Sequence, residues 1–464
     1  MNFAFYDLET TGISPAFDQP LQFAAILTDG EFREVERVNL RCRVAPHIIP
    51  SPWALAVTGL RPEQLMDPAL PTPFEFSQEI GALIDRWSPA IWTGFNSIRF
   101  DEEMLRQAFY QNLQSDIFAT QLNGNTRFDI LTALYAVWHR QPDLFDWPVD
   151  ETGRVRFKLD RIAPLNGFVG HDAHDALGDV EATIHIARRI AQRAPALGAE
   201  LLGNREKADV QARLETFQPM ALVERFSGGP PRATIGCFCG TSASNPNQAA
   251  FFDLEAANPD DLIAGDDAAL FAAVDATPKT IRTVAVNKSP ALLSEPVPSA
   301  EQLRRSEVIA NAPEFRARVG QALAARFPED AGAPLPPVEK QIFGGFYSHA
   351  DKAMLVEFQR ADWRRRRKIV DALEDARLRQ LGRRLVAFHA PELLSPEERT
   401  QFEAWLCERW SAPDTQEAGW MTTDKAQRAL DEVQSSRELE GERVVELADF
   451  LDGYVSRLST AAMD

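Results

Sequence analysis

Five side chains, Asp7, Glu9, Asp101, His174 and Asp179, have the types and spacing to do chemistry together. In the stretch Phe3-Ala4-Phe5-Tyr6-Asp7-Leu8-Glu9-Thr10-Thr11-Gly12, the residues Phe3, Phe5, Asp7 and Glu9 fall at every second position. In an extended strand all four project from one face, apolar at one end and acidic at the other, with the two carboxylates roughly 6.5 to 7 Å apart. Their repulsion in a partly desolvated cleft calls for a counter-charge. Oxygen ligands of this kind suit magnesium or manganese better than zinc. An Asp-x-Glu pair alone is common in an acidic chain, and its weight comes from the acids and histidine further along.

The elements that must position these groups can be read in turn. Residues 21–28 (LQFAAILT) read as a second strand, Asp29-Gly30 as a tight turn and residues 34–44 as a third strand, an antiparallel meander. Residues 51–73 are rich in proline and read as connections around short helices, and residues 74–87 have helical spacing through Phe76, Ile80, Leu83, Ile84 and Trp87. A short apolar strand over 90–94, a turn at Asn96 and a helix over about 100–112 follow. That places Asp101 in or beside a first helical turn, where exposed N–H groups favour a carboxylate and a plain helix-start charge is also common. Glu102 and Glu103 read as ordinary first-turn acids, and residues 127–139 as the next helix.

The block His171-Asp172-Ala173-His174-Asp175-Ala176-Leu177-Gly178-Asp179 leads into an amphipathic helix with Ala176, Val180, Ile184, Ala187 and Ala191 on one stripe. Asp179 lies about 100° from that stripe, where it can border a cleft. His174 would diverge from it by about 140° were both helical, so His174 precedes the helix or opens it. Metal ligation and a solvated loop both remain open for His171 and His174 on spacing alone. Three strands followed by alternating helices and strands fit an α/β layer with a mixed sheet.

Taken together, Asp-x-Glu-Thr-x-Gly, Asn-x-x-x-Phe-Asp and His-x-Ala-x-x-Asp, in that order, resemble the DEDDh 3′–5′ exonuclease superfamily. The segments YDLETTGISPAFDQPLQFAAILTDGEF, FNSIRFDEEMLRQAFYQN, FKLDRIAPLNGF and DAHDALGDVEATI are similar to the exodeoxyribonuclease I family within it. The likeness is strong to about residue 195 and looser through VAVNKSPAL, FGGFYSHAD and the C-terminal helices. The resemblance implies a ribonuclease H-like exonuclease domain with a mixed sheet over 1–195, an SH3-like domain over 196–345 and a C-terminal helical domain over 346–464. It implies Mg²⁺-dependent 3′–5′ hydrolysis of single-stranded DNA to 5′-mononucleotides in repair or recombination. Two Mg²⁺ ions, or Mn²⁺ in their place, would be held by Asp7, Glu9, Asp101 and Asp179, and neutral His174 would accept the proton of the attacking water. Thr10 would touch the terminal nucleotide and Lys158 a phosphate. The acidic tail of single-stranded DNA-binding protein is the implied partner. The alternatives are an exoribonuclease or proofreading exonuclease of the same superfamily, and a non-catalytic nucleic-acid-binding protein.

Composition bounds the rest. A chain of 464 residues exceeds one ordinary core and suggests two to four domains. A net charge of −19 and a pI near 4.9 argue against a uniformly basic nucleic-acid coat, so a polyanion must be met by a patch or by metal. The densest basic run is Arg364 to Lys368, RRRRK. On a helix its five side chains point all round the axis, which fits a solvated, salt-bridged helix, a rail for a DNA backbone or a dock for an acidic peptide. Arg232, Lys279, Arg282 and Lys288 are candidate groove walls. Residues 196–345 read as a small β-rich module, with strands over 233–239, 249–254 and 280–286 and a helix over 260–273. From about Gly345 the pattern is helical, including 361–385 and 397–410. The sequence contains no run of eighteen apolar residues and no basic, then apolar leader, so neither a membrane span nor a signal peptide is expected. Cys42, Cys237, Cys239 and Cys407 are too scattered for a disulfide framework, and Cys237-x-Cys239 lacks a nearby histidine for zinc. A reducing cytoplasm is the expected home.

Overall fold

The computed structural model describes the chain except residues 171–174, 227, 276, 295–296, 327–333, 413–417, 437–440 and 462–464. Strands β1 (Phe3–Thr10), β2 (Pro20–Thr28), β3 (Glu34–Arg41), β4 (Ile91–Gly94) and β5 (Thr126–Asp129) form a sheet in the order β3-β2-β1-β4-β5. The first three are antiparallel, and β4 and β5 run parallel to β1, so the sheet is mixed as expected. β1 is central because it is apolar on both faces toward its start. Phe3 and Phe5 join one cluster with Phe128, Ile130 and Val180. Ala4, Tyr6 and Leu8 join another with Phe76, Ile80 and Trp92.

The proline-rich stretch folds into two short helices, α1 (Pro52–Thr58) and α2 (Pro62–Met66), each opened by its proline. Helices α3 (Pro73–Trp87) and α4 (Asp101–Gln111) cover the Tyr6 face of the sheet. α3 starts on a capping box in which Thr72 and Glu75 satisfy each other's backbone N–H, an arrangement that stabilises a helix by about 1 kcal/mol. Helices α5 (Ile130–Arg140), α6 (Leu159–Leu165) and α7 (Ala176–Arg193) lie on the Phe5 face, and the expected stripe of α7 is buried there from Ala176 through Val180 and Ile184 to Ala187, with Ala191 exposed beyond it.

Two local expectations change. Arg127, Phe128 and Asp129 belong to β5, paired with β4, and the helix begins only at Ile130. A buried parallel strand of four residues running straight into a helix shows no period-two alternation of its own. Asp129 ends the strand and caps α5, accepting hydrogen bonds from Leu131 and Thr132 N–H and also from Asn96 and Ile98 N–H. The third strand stops at Arg41 rather than at residue 44.

The second sheet is antiparallel, with β6 (Met220–Glu224), β7 (Arg232–Thr241), β8 (Gln248–Asp253), β9 (Ile281–Ala285) and β10 (Leu292–Ser294) in the order β10-β6-β7-β8-β9. The expected helix over 260–273 is two helices, Pro259–Ala264 and Asp267–Asp275, parted around Gly265. Helices Ala300–Ala310 and Pro313–Ala325, unmarked by sequence, pack their apolar stripes through Ile309, Phe315 and Val319 onto Cys237 and Cys239 of β7. The region is therefore a sheet with substantial helical cover.

Toward the C-terminus, the expected run over 361–385 is likewise two helices, Trp363–Ala372 and Ala376–His389: the first ends at Leu373, and Asp375 caps the second. These later helices return to the first sheet's surroundings. Phe74 and Tyr110 share a cluster with Phe358 and Val370. Leu21, Ile48 and Leu55 share one with Trp410, Leu430 and Tyr454. Glu339 is buried between Arg384 and Arg409, its Oε1 accepting from their Nη1 atoms at 3.0 and 2.9 Å. Arg409 Nε also donates to His47 O at 3.2 Å. Among the described residues no helix is long and apolar enough to cross a membrane.

Candidate active site

Asp7 and Glu9 leave β1 on the face that α7 covers, opposite Ala24 and Gln22 of β2. One turn into α7, Asp179 meets them. A carboxylate oxygen from each of the three lies within 4.8 Å of the others. The start of α7 is stitched in place by Gln22, 1% exposed, whose Nε2 donates to Asn39 Oδ1 and to Asp175 Oδ1, both at 2.9 Å. Arg41 Nη2 stands 3.6 Å from the same Asp175 oxygen.

Asp101 arrives from the other side. β4 runs beside β1 only from Phe3 to Phe5. Beyond that point Leu8 N–H donates to Asp101 Oδ1 at 3.0 Å instead. Asp101 is outside the three-carboxylate cluster as defined by that 4.8 Å limit, yet its charge leads those acting on Asp7. Glu102 is not an ordinary first-turn acid: it is 3% exposed, accepts from Tyr6 Oη at 3.0 Å and from Arg127 Nη1 at 3.2 Å. It ties the first turn of α4 to β1 and β5, which holds Asp101 steady.

The electrostatics follow from burying acids together. Burial first, then Asp101, Asp179 and Glu9, push the Asp7 carboxyl well above its ordinary value. Glu9 is pushed up to about 8 by burial, then by Asp179 and Asp101. Asp179 rises to about 7 through burial, then Asp160 and Asp175. Asp101 rises to about 8 by burial, against hydrogen bonds from its own N–H and that of Leu8. Four such groups cannot all ionise near neutral pH unless a cation supplies the missing charge, and an all-oxygen donor set fits a hard divalent ion.

The remaining sequence-predicted residues divide. His174, with His171, lies outside the described residues. Thr10 is buried, its hydroxyl donating to Gly12 O at 2.7 Å, and it lines the cleft beside Glu9. Lys158 is exposed immediately before α6, two residues from the Asp160 that acts on Asp179. In the basic run, Arg365 pairs with Glu357, Arg366 is buried against Trp363 and Phe74, and Arg367 pairs with Glu398. The run is largely committed within the fold. Of the proposed groove walls, Lys288 pairs with Glu103 at 3.2 Å and Arg282 with Glu224 at 3.8 Å.

Sequence reasoning passed over Gln22, Asp160, Asp175 and the aromatic wall. A cleft of about 690 Å³ opens beside Glu9, lined among others by Ile13, Trp53, Phe100 and Trp420. The loop below it is clasped by Asp18, whose carboxylate accepts from Thr11 Oγ1 and Ser14 N–H, both at 2.9 Å. A Cβ at Gly12 would stand 2.5 Å from that carboxylate, so the clasp needs glycine there.

A family model described as Exonuclease matches residues 4–187, and one described as Exonuclease I C-terminal domain matches residues 336–458. Exodeoxyribonuclease I of Haemophilus influenzae is 28% identical over 87% of this chain and 89% of its own length. That of Escherichia coli is 29% identical over 76% of this chain and 78% of its own. The chain is thus similar to exodeoxyribonuclease I over most of its length. Solved members of the family superpose over nearly its whole length. Exonuclease I from Methylocaldum szegediense matches with a TM-score of 0.82 at 26% identity, covering 98% of this chain and 99% of that one. Exonuclease I of E. coli in complex with a dA16 oligonucleotide matches with a TM-score of 0.82 at 25% identity, over the same shares. With these relatives and the matched exonuclease domain, the chain is a 3′–5′ exonuclease, a phosphodiester hydrolase.

Proposed function

We propose that this exonuclease degrades single-stranded DNA from the 3′ end to 5′-mononucleotides, using Asp7, Glu9, Asp101 and Asp179 as ligands of two Mg²⁺ ions for which Mn²⁺ can substitute. The observation that carries this is the convergence of Asp7, Glu9 and Asp179 within 4.8 Å, with Asp101 hydrogen-bonded to the backbone between the first two. Bound there, the metal pair supplies Lewis acidity for water activation and for the leaving 3′ oxygen. The chain's own groups do the rest. Neutral His174 accepts the proton of the attacking water. Thr10, with the cleft beside Glu9, receives the terminal nucleotide, and Lys158 meets a phosphate.

Single strands present unpaired bases, which stack on aromatic side chains. Trp53 and Trp420 line the cleft, and Phe226, Phe343 and Phe346 are 53%, 67% and 102% exposed. The E. coli relatives solved with dA16 and dT13 oligonucleotides agree with such a substrate. In this reading residues 1–195 are the exonuclease domain, 196–345 an SH3-like domain and 346–464 the helical domain. The protein works in the cytoplasm in repair or recombination, where its buried thiols stay reduced, and docks the acidic tail of single-stranded DNA-binding protein.

The test is degradation of 5′-labelled single-stranded DNA, duplex DNA and RNA with Mg²⁺ or EDTA, repeated with Asp179→Ala. Metal-dependent shortening of single-stranded DNA, lost in the variant, is expected. Faster shortening of RNA would transfer the reading to an exoribonuclease, and no cleavage in metal would leave only binding.

A further inference from the structure

We propose that Arg127 is a positioning residue for the reaction, one that makes the placement of Asp101 depend on the docking of the second sheet. This role rests on the reading of Asp101 as a metal ligand.

The first turn of α4 has no side-chain cap, because Phe100 stands at its N-cap. An uncapped start leaves N–H groups without intrahelical partners and frays readily. One of them, that of Glu102, reaches back to Ser97 O at 2.9 Å; further hold comes from outside the helix. Three consecutive acids open α4 and leave it in three directions. Asp101 Oδ1 accepts from Leu8 N–H of β1. Glu102 turns inward to Tyr6 Oη and Arg127 Nη1, with Arg106 Nη2 at 3.6 Å. Glu103 accepts from Lys288 Nζ at 3.2 Å and from Arg106 Nη1 at 2.8 Å. Successive helical side chains are separated by about 100° round the axis, so pinning the second and third sets the rotation of the turn and with it the direction of the first.

Those pins lead to the second sheet. The connection between β9 and β10, residues 286–291, carries Lys288, and the Asn287 carbonyl before it accepts from Arg127 Nη2 at 2.7 Å. The connection is itself fixed: Lys288 N–H donates to Ala285 O at 3.1 Å, and Asn204 Nδ2 donates to Pro290 O and Leu292 O at 3.1 and 2.8 Å. Buried Arg127 therefore bridges a fixed carbonyl of the second sheet and a buried carboxylate one residue from Asp101. Arg106, on the same helix, already faces Glu102, so charge is not what Arg127 adds. It adds a link to another part of the fold. The planar guanidinium holds its donors at a fixed spacing, so a shift of the connection is passed on to Glu102, where a flexible ammonium side chain would absorb it.

The experiment uses the full chain as Arg127→Lys and as the double variant Glu102→Gln, Arg127→Gln. The second removes both charges of the buried pair together, so neither is left without its partner. Folding is followed by denaturant titration, Mn²⁺ binding without DNA by calorimetry, and degradation of single-stranded DNA by steady-state kinetics. Lysine keeps the positive charge but cannot hold two partners at a fixed spacing. Both variants, folded, are expected to bind Mn²⁺ at least about threefold more weakly and to lose about tenfold or more in kcat, with KM for DNA within about twofold. A purely structural Arg127 would instead lower the unfolding midpoint and leave the metal affinity and kcat of the folded chain at the parent's values. Parental Mn²⁺ affinity and kcat in folded Arg127→Lys overturn the proposal, as they do in the double variant if Arg127→Lys does not fold. A parent chain that binds no divalent ion sinks the proposed function and this role with it; a parent that binds Mn²⁺ no better than the variants sinks this role alone.

Discussion

Stripping metal from the acidic cluster should make the protein less stable as pH rises. Unfolded, Glu9 and Asp179 ionise near their ordinary 4.5 and 3.8; folded without metal, they keep their protons to about 8 and about 7. Between those limits the folded chain binds more protons than the unfolded one, so the stabilisation is complete below about pH 4 and is lost as pH climbs through 7 to 8. Each pH unit over which a proton is retained is worth about 1.4 kcal/mol. For Glu9, held from 4.5 to about 8, that makes a loss on the order of 3–5 kcal/mol. The assay is a thermal melt across pH 5.5 to 8.5 in EDTA and in excess Mg²⁺. The midpoint should fall with pH in EDTA and stay nearly level in Mg²⁺, whose charge replaces the protons. At pH 8 in EDTA, Asp179→Asn should melt higher than the parent while losing cleavage, because it removes one of the repelling charges. A flat or rising EDTA profile, or an Asp179→Asn variant that melts lower, would refute the reasoning.

Three further outcomes are expected. Gln22→Ala removes the bond to Asp175 that holds the start of α7, together with the bond to Asn39 that orients the amide; the Mg²⁺ concentration for half-maximal cleavage should rise and kcat fall about tenfold or more, with stability changed by only about 1 kcal/mol, as read by metal titration and denaturant unfolding. Trp420→Ala should raise KM for single-stranded DNA by the ~1–3 kcal/mol of one lost stacking surface while kcat holds, in steady-state kinetics. Glu339→Leu leaves Arg384 and Arg409 buried without their acid and should cost about 3–5 kcal/mol in denaturant unfolding.

Much of the site was legible because its parts obey local periods. Alternation along Phe3, Phe5, Asp7 and Glu9 fixes which face the acids share, and the stripe of α7 fixes where Asp179 points relative to the core. Asn96 in a turn before Asp101 also agrees with its left-handed backbone, φ 64°. What escaped has no period. β5 is four residues buried between a strand and a helix. Glu102 looks like any helix-start acid until Tyr6 and Arg127 close on it from strands that periodicity cannot bring together. The apolar stripe of helix Thr423–Ser436 announces burial without naming Leu55 as a partner nearly the whole chain away. Long-range pairing is set by tertiary packing, which a local window does not contain.

The cleft beside Glu9 takes one wall from β1 and its loop and another from Trp420, Met421 and Lys425. A ribosome thus delivers the acids first and the other wall of the groove more than two hundred residues later. A growing polypeptide holds Asp7, Glu9, Asp101 and Asp179 well before the second wall of this cleft, which is complete only once residue 425 has emerged and folded back.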